Sequence, residues 1–320
     1  MKVLKIYVFV LSLLAVACQK EELPKDPVSD SQVISVGNCL NLPKNLRAGD
    51  QYVDPYTEGV TYNLRANRNI PLVFNIIESE GGRKIDAVTI EKQIEILNSM
   101  FSGTDADFSE YTSTVFQSLA AGDTKLRFYL KKVNRIQSPY GIQLGKSEWF
   151  KTSQYGIVPT TPNKCINVYI SDKVYDEEGS FFSGYSSIPG VDKSTEGVVV
   201  NSLCFYDPAP TNVSIKNNGL SKGKLLGHEI GHLLGLWHTS GMYGDCSSDK
   251  VSDTPQNSKE HMGIVYDFIY ETCEGESRKI LFCNYMEYVY ETQRTMFTKG
   301  QKNKMLYNFR SGGTHQFLGF

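Results

Sequence analysis

The chain has 320 residues, 40% of them hydrophobic, and a formal net charge of -2. That is enough apolar chain for one substantial core rather than a string of small modules. The near-balanced charge, with no long basic run, excludes a nucleic-acid surface built on electrostatic attraction.

The chain opens with Lys2 and Lys5, followed by an apolar run from Ile6 to Ala17. That run is too short to cross a bilayer comfortably, so residues 1–17 read as a secretory signal. Leu14-Ala15-Val16-Ala17-Cys18 resembles a bacterial lipobox, with Ala15 where Leu is usual. The resemblance implies cleavage before Cys18 and lipid attachment to it. The charged stretch from Gln19 to Glu22 fits either a surface-export signal or a solvated tether. The expectation is a monomer anchored by lipid to the outer membrane of a Gram-negative bacterium, facing the periplasm or the outside. Cys39, Cys165, Cys204, Cys246, Cys273 and Cys283 remain and can oxidise in an exported protein.

Residues 18–66 are polar and broken by prolines, and read as a tether and an irregular segment. A catalytic unit is expected over 67–320, with an upper part to 235 and a lower part from 236. Ile70 to Ile77 is a near-continuous apolar run, as in a buried strand. Ile90, Ile94, Leu97 and Phe101 recur at helical spacing between Val88 and Phe101. Strands are predicted over 126–133, 166–170 and 197–201. A short edge strand is predicted over 184–189, ending at Pro189. A helix is predicted over 221–234, and a last one from Thr298, where Gln301 three residues on completes a capping box. This order predicts an α/β fold: a twisted mixed sheet with helices, then an irregular lower part ending in a helix.

The chemistry concentrates in Gly227-His228-Glu229-Ile230-Gly231-His232-Leu233-Leu234-Gly235-Leu236-Trp237-His238. His228 and His232, four apart, leave one face of the helix and can share one ion. Gly235 can take the left-handed conformation that ends a helix, letting the chain turn back and bring in His238. Three protein ligands leave a fourth position for water, the pattern of a catalytic zinc site. Glu229 is then placed as general base. Three of the chain's five histidines fall within eleven residues. His261 and His315 have no such partners and are expected at the surface.

The segment resembles the zinc signature of the metzincin metallopeptidases. Asn284-Tyr285-Met286-Glu287-Tyr288 resembles the Met-containing turn of the pappalysin branch. His238-Thr239, Asp253-Thr254-Pro255, Ile70 to Phe74, Gly184 to Pro189 and Phe297 to Gln301 resemble pappalysin features as well. The resemblance spans roughly residues 67–312. It implies a metzincin fold and an endopeptidase acting on extracellular proteins or peptides. It implies Met286 beneath the zinc, a Tyr288 hydroxyl that stabilises the tetrahedral intermediate, and a 184–188 edge that takes substrate by strand addition. A zinc-containing lipoprotein that binds polypeptide without cutting it is the alternative, disfavoured because Glu229 is retained.

The same resemblance implies calcium near the acids Asp245, Asp249 and Asp253, which are hard oxygen ligands. It implies a disulfide from Cys246, to Cys273 or Cys283, with Cys273 preferred. A second bridge is in doubt, because Gln293 stands where relatives carry a cysteine. Relatives that favour Arg after the cleaved bond carry an acid near Thr292; here Glu291 is beside it, a weak sign of basic preference. Some metzincins hold an N-terminal thiolate on the zinc, which makes Cys39 a latency candidate; a structural disulfide or buried thiol is the favoured reading of it.

Overall fold

The computed structural model describes residues 40–41, 54–143, 149–176, 178–217, 219–241 and 246–319. Cys18, Cys39 and Asp245 lie outside the described residues, as does the apolar run from Ile6 to Ala17.

The elements, in order, are β1 (Leu40–Asn41), β2 (Arg68–Glu78), α1 (Ala87–Ser102), α2 (Phe108–Tyr111), α3 (Thr114–Gln117), β3 (Leu126–Gln137) and β4 (Ile142–Gln143). They continue with β5 (Ile166–Ser171), β6 (Val174–Tyr175), β7 (Gly184–Ser187), β8 (Val198–Asn201), α4 (Val213–Asn217) and α5 (Leu225–Leu233). The hairpin β9 (Tyr270–Cys273) and β10 (Glu276–Lys279) and the helix α6 (Lys299–Tyr307) complete the described chain.

One mixed sheet runs in the order β1-β7-β8-β5-β2-β3. All neighbours are parallel except β7 and β8. The long runs of Ile, Leu, Val and Phe in β2 and β5 follow from this position: a parallel strand covered on both faces has no polar side to present. Pro71 sits inside β2 and donates no hydrogen bond; the register against β3 slips just after it, between Leu72 and Val73. A bulge is where a strand interior tolerates proline.

One sheet face packs on α1 and α5 through Ile70, Leu72, Phe74, Leu97, Phe101 and Ile230. Asp86 caps α1 by accepting from the Thr89 amide at 2.7 Å, and Gly103, in the left-handed region, ends it. A Cβ on Gly227 would lie 2.3 Å from Met100 Cε, so that glycine lets α1 close on α5. The other face is covered by Ile142 of β4 and Val174 of β6, which pair with each other, together with Phe150 and Phe182.

Helix α5 starts at Leu225, later than the predicted 221. Gly223 has φ +78, which breaks the helix, and a Cβ there would crowd the Gln93 side chain. β7, predicted as the edge strand over 184–189, stops at Ser187, ahead of Ile188-Pro189, and the two residues of β1 pair outside it. Residues 54–62, expected to be irregular and outside the catalytic unit, pack on α6. Asn303 Oδ1 accepts from the Tyr62 amide at 2.5 Å, and its Nδ2 donates to Tyr56 Oη at 3.0 Å and Val60 O at 2.6 Å. Tyr56 and Tyr62 meet Tyr307 edge to face.

Candidate active site

Helix α5 is buried along all nine residues. Its side chains cannot choose solvent, so every polar group on it needs a protein partner or a ligand. His228 Nδ1 donates to Tyr285 O at 2.7 Å, and His232 Nδ1 donates to Leu236 O at 2.8 Å. Both bonds place the proton on Nδ1 and leave the Nε2 lone pair facing the site. Gly235, with φ +96, ends the helix; the amides of Gly235 and Leu236 reach back to His232 O and Gly231 O. The chain turns there and delivers His238.

The three Nε2 atoms lie 3.0, 3.1 and 3.3 Å apart. A tetrahedral zinc with nitrogen ligands at about 2.0–2.1 Å sets them roughly 3.3 Å apart. Three lone pairs aimed at one point repel unless a cation sits between them, so the donor set fits zinc. Burial, then the neighbouring imidazoles, push His228 and His238 well below the ordinary histidine range. Burial takes His232 down to about 4. All three are therefore neutral ligands at neutral pH. Among the described residues they form the one group of His, Cys, Asp and Glu with metal-ligand spacing.

Glu229 is buried beside them. A Cβ on Gly184 would lie 3.6 Å from Glu229 Oε1, so the carboxylate sits against the first residue of the edge strand. The turn 284–288 lies beneath. Asn284 Oδ1 accepts from the Met286 amide at 2.9 Å, and a Cβ on Gly231 would lie 2.7 Å from Met286 Sδ. Gly231 thus admits the methionine under the metal site. Tyr288 Oη is 3.0 Å from His238 Nε2.

The turn is fastened on two sides. Asn284 and Gln301 exchange amide hydrogen bonds at 2.8 and 3.0 Å, and Gln301 also completes the capping box with Thr298. Tyr285 Oη donates to Asp105 at 2.7 Å; Lys224, at the start of α5, pairs with Asp105 at 2.8 Å and Asp107 at 2.9 Å.

The profile of the peptidases described as pregnancy-associated plasma protein-A matches residues 159–309. An extracellular metalloprotease of Neurospora crassa is 33% identical over 277 residues, 82% of this chain and 91% of the relative. The chain belongs to the pappalysin family of metzincin metallopeptidases. An extracellular metalloprotease of Arthroderma benhamiae is 36% identical over 92 residues, 28% of this chain, and the match spans only 33% of that relative. Mature mirolysin of Tannerella forsythia, in complex with a cleaved peptide, shares the fold with a TM-score of 0.69 at 24% identity, over 80% of this chain and 97% of that one.

Membership in this family implies a zinc ion, and the histidine cluster fits one. The preferred Cys246–Cys273 pairing is the one found, whereas the expected surface histidines and the reading of Glu291 are revised. Cys246 and Cys273 form the disulfide, while Cys283 is a buried free thiol packed with Phe116 and Leu281. Gln293 clamps Val265: Oε1 accepts from its amide at 2.8 Å and Nε2 donates to its carbonyl at 2.7 Å. His261 and His315 are not surface residues. Both are buried, His261 against Glu271 at 2.9 Å and His315 against Glu196 at 3.1 Å. Glu291 is fully buried and accepts from the Leu225 amide at 2.6 Å and the Lys222 amide at 2.7 Å. It takes up the first amide of α5 from another segment, with Arg294 at 3.6 Å, which leaves it poorly placed to read a substrate side chain.

Asp253 accepts from Thr298 Oγ1 at 2.6 Å and the Gly300 amide at 2.9 Å, at the start of α6. Asp249 accepts from the Val251 amide and Thr254 Oγ1. Burial pushes the Asp249 carboxyl up to about 7. Its folded value lies above the unfolded one of about 3.9, so the stability it contributes in acid is lost as pH rises between the two. In chelator, Asp249→Asn should gain melting temperature over wild type from about pH 4 to pH 7 and level off above that. A difference that does not change with pH would rule out Asp249 as the titrating group.

Proposed function

We propose that the protein is an exported, zinc-dependent endopeptidase acting on extracellular proteins or peptides. The observation that carries this reading is the convergence of three buried Nε2 atoms beside the buried Glu229. Zinc, when bound, supplies a Lewis acid and a water with pKa lowered towards ~7. Glu229 accepts the water's proton and passes it to the leaving amine. Tyr288 donates a hydrogen bond to the oxyanion that develops at the scissile carbonyl. Glycine at 184 keeps the edge strand close to Glu229, where an extended substrate would pair by its backbone.

Glu229→Gln should lower kcat/KM on a mixed peptide library by ~10³ or more, since removing a general base typically loses 10²–10⁴. Tyr288→Phe should lose ~10² or more, mainly in kcat. Equal cleavage by Glu229→Gln and wild type would sink the mechanism. Absence of cleavage by wild type, with zinc loaded, would favour a peptide-binding lipoprotein instead.

A latent state is supported by β1. Leu40 and Asn41 pair in parallel with Ser186 and Ser187, on the edge proposed for substrate. Cys39 immediately precedes that pair in the chain, and a thiolate is a good zinc ligand. Cys39→Ala should raise the activity of uncleaved protein; unchanged activity with an intact zinc site would remove the switch.

Anchoring through Cys18 to the outer membrane is supported by the lipobox-like Leu14 to Cys18. Lipid labelling that survives Cys18→Ala would exclude it. For calcium the support is the oxygen chemistry of Asp245, Asp249 and Asp253. Calcium there should reverse the sign of the Asp249→Asn difference, and an unaltered difference would exclude the site.

A further inference from the structure

His228 and His232 are aimed by their helix and by the backbone carbonyls that hold their Nδ1 atoms. His238 follows the helix, beyond Gly235, and no helical register fixes it. Its place depends on whatever holds the loop. The residue after it, Thr239, is buried, and its hydroxyl donates to Glu287 Oε1. Glu287 stands between Met286 and Tyr288 and is itself buried. Its Oε1 also accepts from Asn257 Nδ2 at 2.7 Å. Its Oε2 accepts from the His261 amide and the Tyr288 amide, both at 3.3 Å. His261 Nδ1 lies 3.9 Å from Oε1, and the ring is braced from behind by Glu271. Glu271 in turn accepts from the Ser258 amide at 2.6 Å. One carboxylate therefore gathers the residue after the third ligand, two points of the 257–261 loop and the turn that carries Tyr288.

We propose that Thr239 and Glu287 are positioning residues that hold His238 in register with the 284–288 turn. The hydroxyl-to-carboxylate bond is the short strut between the ligand loop and the turn. A hydrogen bond to a buried charge is stronger than a neutral one, and losing it leaves the carboxylate under-satisfied. Groups that orient a metal ligand from behind typically affect metal affinity 10- to 100-fold. The proposal rests on the zinc reading of the three histidines, and its test separates the two.

The test measures zinc release from the loaded, full-length protein into excess chromophoric chelator, with circular dichroism confirming that each variant is folded at the assay temperature. Thr239→Val should release zinc roughly 10-fold or more faster than wild type. Thr239→Ser, which restores the hydroxyl, should return close to the wild-type rate, a rescue that mere packing would not predict. The double variant Thr239→Val with Glu287→Ala should be no faster than Glu287→Ala alone, because the alanine already removes the acceptor of that bond. Should the valine variant fail to fold, Thr239→Ala removes the same hydroxyl without the added methyl group and gives the same readout. Release by folded Thr239→Val or Thr239→Ala at the wild-type rate, or additive effects in the double variant, would overturn the strut. A wild-type protein that takes up no zinc would instead overturn the metal reading.

Discussion

Three imidazoles must present their lone pairs to a single point inside the protein, and the rest of the structure follows from that requirement. Burial keeps the rings neutral, but it also denies their Nδ1 protons to water. Each such proton needs a fixed acceptor. For His232 the acceptor is Leu236 O, supplied when Gly235 turns the chain back. For His228 it is Tyr285 O, which belongs to a segment 57 residues further on. The turn around Met286 thus does more than pack against Gly231: its backbone sets the tautomer of His228.

The turn can do this only if it is held to within tenths of an ångström. Its fastenings are polar and buried: Asn284 with Gln301, Tyr285 with Asp105 and Lys224, and Glu287 with Thr239. Buried ion pairs recover their desolvation cost poorly, so Lys224 with Asp105 and Asp107 is weak evidence of net stability. Such networks are directional where apolar contacts are not, and direction is what ligand geometry demands. Apolar packing supplies the bulk; Gly227 and Gly231 set how near Met100 and Met286 approach the helix.

Legibility from sequence divides along the same line. The zinc helix, the capping box at Thr298 and the apolar strands were readable because their signals are local: spacing, periodicity and a terminating glycine. The fastenings were not, because each joins residues far apart with no periodic pattern around them. Lys224 and Asp107 are 117 positions apart, and Val265 and Gln293 are 28 apart. His315 meets Glu196 119 positions away, and His261 meets Glu271 ten positions on, across a loop with no periodic pattern. A lone histidine in polar chain looks solvated until the fold brings Glu271 or Glu196 to it. The hairpin β9–β10 did carry a local signal, Glu274-Gly275, with φ of 53 and 82. Glutamate is uncommon in the left-handed region, so that turn is weaker in sequence than Asn-Gly would be.

The start of the zinc helix shows how far the coupling goes. An α-helix leaves its first amides without internal partners, and solvent or a capping side chain normally satisfies them. Helix α5 has neither: its N-cap residue, Lys224, spends its side chain on Asp105 and Asp107, and the helix is buried. Glu291 takes up the Leu225 amide from outside the helix, and burial pushes its carboxyl above the ordinary range. Glu291 lies in the same stretch that provides Tyr285 O, Met286 and Tyr288. Residues 284–294 therefore satisfy the helix at its start, sit beneath it at Gly231 and fix a ligand on its face. The two segments cannot shift independently, so a disturbance of either end of that stretch reaches the metal site without touching a ligand.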